Sequence, residues 1–252
     1  MLTLCESQAA LAFLPADPFA ARITALFAAY GANRPFLQFW VQTVEGTPTA
    51  AVSRLDGAMT LCCTAQTDYE ELRLFVQSVG YETLLADAEM LAALGLPETD
   101  GSYMVVYRGG PVPPDPEIRT DYDLRAIHAL LCAAQFPAGS FEAFAADVGA
   151  RLQHGTASYA VFAHTQLDAC AFRLFIGEKS LLLGAVVTDP ASRGRGYASR
   201  LVTHLAQDAQ GRAAYLFCRN DGLLPFYEKM GFVSAGRWAQ TRPAAEKRGE
   251  NQ

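Results

Sequence analysis

No uninterrupted apolar run in the 252 residues approaches the roughly 20 needed to cross a bilayer. The N-terminus carries Glu6 where a secretion signal begins with basic residues. Together these absences set the expectation of a soluble, cytoplasmic protein with no membrane partner. The cysteines (Cys5, Cys62, Cys63, Cys132, Cys170 and Cys218) lack any paired metal-ligand spacing, and side chains at the adjacent positions 62 and 63 point to opposite faces of a strand. They read as buried thiols. His128, His154, His164 and His204 form neither an HxxxH nor an HExxH pattern, so no metal is expected. A net charge of −6 argues against a nucleic-acid partner while leaving room for a local basic pocket. Neither GxGxxG nor GxxxxGK[ST] occurs, which removes support from nicotinamide and nucleoside-triphosphate chemistry.

What is present is enough for a packed core, since 51% of the residues are hydrophobic and 18% charged. The length exceeds the usual single domain of roughly 100 to 150 residues. The stretch Gly109-Gly110-Pro111-Val112-Pro113-Pro114-Asp115-Pro116 holds too many prolines and glycines for a helix or a sheet. A domain over 1–109, a linker over 110–116 and a second domain over 117–252 are therefore expected. Both halves follow one layout.

In the first half, 36–43 and 49–55 read as strands, a turn at Asp56-Gly57 leads to a strand over 58–64, and Thr67 with Glu70 forms a capping box for a helix that Gly80 ends. A strand over 81–85 and a helix over 88–94 follow. In the second half, a short strand at Glu117-Ile118-Arg119 and helices over 122–134 and 141–153 precede strands over 158–164, 169–176 and 180–188, with turns at Leu167-Asp168 and Gly177-Glu178. The apolar stripe Ala198, Leu201, Val202, Leu205 and Ala209 marks a helix. A strand over 213–218, a short helix ending at Met230-Gly231 and a strand over 232–238 complete the chain. A strand, a crossover helix and a strand give a parallel pair beside an antiparallel meander, so the class is α/β with mixed sheets.

The segment Val186-Val187-Thr188-Asp189-Pro190-Ala191-Ser192-Arg193-Gly194-Arg195-Gly196-Tyr197-Ala198-Ser199-Arg200-Leu201 runs from a buried strand through a glycine- and arginine-rich turn into an amphipathic helix. The first helical turn leaves backbone N–H groups without intrahelical partners and aims them, with the helix dipole, at one point. Gly194 and Gly196 allow close approach of a phosphate, and Arg193, Arg195 and Arg200 against Asp189 add positive charge. A pyrophosphate fits such a place. A glycine turn with surface arginines is the plain alternative.

These residues resemble the GNAT superfamily of acyltransferases, whose pyrophosphate loop reads R/Q-x-x-G-x-G/A and is matched by Arg193, Gly196 and Ala198. The family's second signature resembles Asn220 followed by Phe226-Tyr227-Glu228-Lys229-Met230-Gly231-Phe232. The resemblance covers the second half well and the first in outline. It implies tandem domains, each a mixed, mostly antiparallel sheet with a splayed parallel pair flanked by helices. It also implies acetyl-coenzyme A as acyl donor and a small-molecule or peptide amine as acceptor. Val186, Val187, Thr188, Arg193, Gly194, Arg195, Gly196, Tyr197, Ala198, Ser199 and Asn220 are then the cofactor-binding residues, with Gly184 marking a bulge or a packing accommodation in their strand. Tyr227 is the implied general acid, and the Val187 N–H the polariser of the acyl carbonyl. The general base is not visible, with His164 and Glu142 conceivable. Cys218 reads as a buried side chain rather than a nucleophile.

In the first half, the matching place reads Ala65-Gln66-Thr67-Asp68-Tyr69-Glu70-Glu71, and its carboxylates would repel a pyrophosphate. That half is expected to be a degenerate domain without cofactor. Besides transfer from acetyl-coenzyme A to an amine, a non-catalytic acyl-coenzyme A sensor and a purely structural tandem domain fit the pattern less well.

Overall fold

A computed structural model describes residues 1–32, 34–207 and 210–243. The first half supplies strands β1 (Leu2–Leu4), β2 (Leu37–Val44), β3 (Thr47–Leu55), β4 (Ala58–Cys63), β5 (Thr83–Asp87) and β6 (Asp100–Tyr107), with helices α1 (Pro18–Tyr30), α2 (Tyr69–Val79) and α3 (Ala88–Ala93). The second supplies helices α4 (Leu124–Ala133), α5 (Phe141–Gln153), α6 (Tyr197–Gln207) and α7 (Leu224–Glu228), with strands β7 (Ser158–Ala163), β8 (Leu167–Ile176), β9 (Ser180–Thr188), β10 (Ala213–Phe217) and β11 (Phe232–Thr241). No helix among the described residues is long and apolar enough to cross a membrane.

All of these strands join one 11-stranded sheet in the order β1-β2-β3-β4-β5-β11-β6-β10-β9-β8-β7. Most neighbours are antiparallel; β4 with β5 and β9 with β10 are parallel, each pair joined through a crossover helix. The last strands of the two halves trade places. The first half's β6 pairs with β10, while β11 of the second half lies between β5 and β6 and pairs with both.

Helix α1 seats the halves against each other. Asp17 caps it by accepting the Phe19 and Ala20 N–H groups at 2.8 and 3.1 Å, and Pro18 occupies its first turn, where a missing N–H costs nothing. Most of its residues are buried, in a core it shares with Phe39 and Cys62 of the first half and Phe175 and Leu182 of the second. Helices α4 and α5 cover the same face over a core of Ile127, Leu131, Phe172 and Val187, while α2, α3, α6 and α7 cover the other.

Several local expectations are corrected. The α2 cap is Asp68, whose carboxylate accepts the Glu71 N–H at 3.0 Å, and not the Thr67/Glu70 box. The Thr67 hydroxyl is buried and donates to the Thr49 and Thr64 carbonyls at 2.8 and 2.9 Å, so it is taken before the helix begins. Leu167 and Asp168 lie inside β8; the turn precedes them, closed by His164 N–H to the Gln166 carbonyl at 3.0 Å. The strand expected over 117–119 reduces to a single bridge between Arg119 and Val161. Ala209 and the tail from 244 onward lie outside the described residues. The Asp56-Gly57 turn is as expected, with φ of 45° and 86° at its two residues.

Candidate functional site

Strands β9 and β10 pair from Ser180 with Ala213 to Leu183 with Leu216, and then part. β9 runs on to Thr188 with no β10 residue beside it, so the sheet opens from Gly184 onward. A bulge sits at the opening. Cys170 opposes Val187 and Phe172 opposes Gly184, which leaves one extra residue on β9, and Ala185 there has a φ of 49°. Gly184 answers to packing, because a Cβ on it would lie 2.4 Å from the Leu174 Cδ1. The Cys170 thiol donates to the Ala185 carbonyl at 3.7 Å within this bulge.

The strand then enters the arginine-glycine turn. Asp189 shapes its start by accepting the Ala191 N–H at 2.8 Å on its carboxylate and the Ser192 N–H at 2.9 Å on its carbonyl. The Ser192 hydroxyl donates to Asp168 at 2.5 Å, and the other Asp168 oxygen meets His164 Nδ1 at 2.6 Å. Burial pushes the Asp168 carboxyl up, but the bonds from Ser192 and His164 outweigh it and hold it below its usual range. The turn is thus tied to the β7–β8 hairpin. Gly194 and Gly196 have φ of 79° and 78°, with nothing within 4 Å of where a Cβ would stand. In that region side chains other than hydrogen are disfavoured. The first α6 hydrogen bond runs from the Arg200 N–H to the Gly196 carbonyl, so the amides of Tyr197, Ala198 and Ser199 precede the helical ladder.

A cleft of about 1000 Å³ joins the opening to this turn. Of the residues expected from the sequence, Val186, Val187, Thr188, Arg193, Gly194, Gly196, Tyr197, Ala198, Ser199 and Tyr227 line it; Arg195 and Asn220 do not. Asn220 is extended and its carbonyl closes the turn that follows, accepting the Leu223 N–H at 3.1 Å. Arg200 is withdrawn from the positive balance expected of the turn. It grips Asp115 at 2.6 and 2.7 Å and Glu117 at 2.5 Å, and lies over the Phe162 ring. His164 and Glu142 stand outside the cleft lining. Asp100, Phe217 and Arg219, to which no local pattern pointed, also line it, as do Phe136, Pro137 and Phe226.

Tyr227, on α7, is 6% exposed and packs edge-on against Phe226 and Phe232. Its hydroxyl has no hydrogen-bond partner among the described residues, and burial, aided by Cys218, raises the phenol above its usual value. Burial also pushes the Cys218 thiol up to about 11, so it stays protonated at neutral pH.

The corresponding place in the first half is filled differently. β4 and β5 pair only over Ala58–Thr60 with Thr83–Leu85. The α2 N-terminus beyond them is taken by its own Asp68 carboxylate, and Glu71 receives the Gln42 amide and the chain's N-terminus, each at 2.9 Å.

Residues 153–234 match the family model described as an acetyltransferase (GNAT) domain. That stretch, from the end of α5 to the start of β11, is similar to a GNAT domain. No curated protein matches the chain. Among solved structures, a GNAT-family acetyltransferase from Colwellia psychrerythraea superposes with a TM-score of 0.58 at 15% identity, over 96% of this chain and 99% of that one. A tandem GNAT protein from the clavulanic acid biosynthesis pathway gives a TM-score of 0.58 at 15% identity over 95% and 97% of the two chains. An N-acetyltransferase from Kribbella flavida gives 0.58 at 15% identity, covering 90% and 96%. At such identity the likeness concerns the fold. It extends across both halves, so the first half is GNAT-like in architecture although the matched model stops short of it.

Proposed function

We propose that the chain transfers an acetyl group from acetyl-coenzyme A directly to an amine, with Tyr227 as general acid. The observation that carries this reading is the continuity between the β9–β10 opening and the exposed amides of the arginine-glycine turn, in a single cleft. The residues fit the donor: a helix N-terminus with glycine at positive φ suits a diphosphate, and the unpaired edge from Gly184 to Thr188 offers backbone groups to an extended amide-bearing arm. Bound there, acetyl-coenzyme A supplies the activated thioester.

Tyr227 holds its proton at neutral pH and gives it to the departing sulfur. A phenol raised by burial is a weak acid toward an ordinary thiolate. The same apolar surroundings raise the neighbouring Cys218 thiol, so they also favour the protonated form of a departing thiol. In this reading the first half holds no cofactor, because carboxylates occupy the helix end where a diphosphate would sit. The domain limits 1–109 and 117–252 remain our division, with the strands β6 and β11 crossing it.

Calorimetric titration with acetyl-coenzyme A and thiol release with an amine panel test the reading. Gly196→Leu, which puts a branched side chain at positive φ in the path of the diphosphate, is expected to weaken acetyl-coenzyme A binding at least tenfold, worth about 1.4 kcal/mol. Undiminished affinity would remove the turn from the site. Binding without thiol release would instead make the domain a sensor.

A further inference from the structure

The lining of the cleft divides between the two faces of the sheet. On the face of α6 and α7 stand the glycine turn, Leu223 and Tyr227. On the other stand residues 134–137 from the turn between α4 and α5, with Phe136 in the core beneath those helices, and Phe217, which packs with the α1 core. Asp100 joins this second group. β6 pairs with β10 as far as Met104 beside Phe217, and the Cys218 N–H still reaches the Tyr103 carbonyl at 2.9 Å. Beyond that β10 has ended, and β6 continues past the opening to Asp100. Side chains alternate along a strand, so Asp100 and Ser102 share the face of Met104, which lies in the α1 core.

Among the described residues lining the cleft, Asp100 is the one carboxylate; the other charged residues are Arg193, at the glycine turn, and Arg219. Asp100 is exposed, accepts only its neighbour Gly101's N–H at 2.9 Å, and has no cationic partner among the described residues. The nearby Arg237 is taken by Asp221 at 3.2 Å, and Asp221 in turn accepts the Ser102 hydroxyl at 2.7 Å. A carboxylate without a counter-ion, at the edge of a cleft walled by Phe136, Pro137 and Phe217, matches one ligand chemistry: a cation on an apolar body.

We infer that Asp100, carried into the second half's cleft by the first half's exchanged strand, recognises the acceptor, and that the acceptor is a protonated amine with an aryl or alkyl body. This rests on the acetyl-transfer reading above. It concerns recognition of the ammonium before transfer, and adds a specificity-determining contact to the chain's own machinery. It also gives the first half, which lacks the anion-binding turn, a place in the activity.

The test uses the full chain with acetyl-coenzyme A, phenethylamine as cationic probe and 2-phenylethanol as its neutral counterpart. Phenethylamine is expected to release thiol and the alcohol not. Asp100→Asn is expected to raise KM for phenethylamine at least tenfold while leaving acetyl-coenzyme A affinity within twofold, and Asp100→Glu to recover part of the loss. An unchanged KM in Asp100→Asn overturns the inference, as does a wild-type chain that binds acetyl-coenzyme A yet fails to use the amine or uses the alcohol equally. A wild-type chain that does not bind acetyl-coenzyme A removes the acetyl-transfer reading, and this inference with it.

Discussion

Burial acts on Tyr227 in two ways: it holds the phenol's proton and it leaves the hydroxyl without a competing partner among the described residues. A group whose work comes only as a leaving group accumulates charge changes kcat and not the affinity for the donor. Tyr227→Phe is therefore expected to lower kcat by roughly 10² to 10⁴, with acetyl-coenzyme A affinity within a factor of two, measured by steady-state thiol release beside calorimetry. Equal turnover at all pH values would leave the tyrosine a packing role. The turn from Arg193 to Ala198 was legible in the sequence as a glycine turn opening a helix, because the residues that form it are neighbours in the chain. Asp100 was not: it lies more than a hundred residues from Tyr227, and only strand pairing brings the two to one cleft. The fate of Arg200 was hidden for a similar reason, since Asp115 and Glu117 reach it from the linker side.

At the scale of elements, the hairpins and the amphipathic α6 showed their periods plainly, whereas α1 did not. Its sequence, PFAARITALFAAY, is buried on nearly every side, so no polar face breaks the apolar run into a helical period. The local signal that survives is Asp17-Pro18, a cap residue followed by proline at the first helical position. Removing that cap is expected to cost about 0.5 to 2 kcal/mol. Asp17→Ala should accordingly lower the urea midpoint without altering the slope, monitored by far-UV circular dichroism. An unchanged midpoint would mean that packing against both halves, and not the cap, fixes the helix. β6 escaped notice because its neighbours, β10 and β11, are both far downstream. The short helix α7 was recognised by its signature residues rather than by any period.

At the scale of the whole molecule, the exchanged strands make the sheet continuous across a linker that reads, locally, as a divide. Two domains joined only by a tether would part when it is cut. Here β6 stays hydrogen-bonded to β10 and β11 to β5 whatever happens to residues 110–116. Limited proteolysis confined to that segment is expected to give two bands in a denaturing gel and a single peak, at the intact size, in gel filtration. Separate elution of the fragments would show that the exchange contributes little to cohesion. The composition of the linker announced a boundary correctly as backbone chemistry, since its prolines and glycines form no regular element, but backbone chemistry carries no information about which strands meet beyond it.

The trading of last strands has a further consequence for the half without the arginine-glycine turn. Deleting it would strip β10 of its outer neighbour and the cleft of a wall. The two halves are therefore bound to a common fate, and a mutation that weakens the first is felt at the cleft of the second.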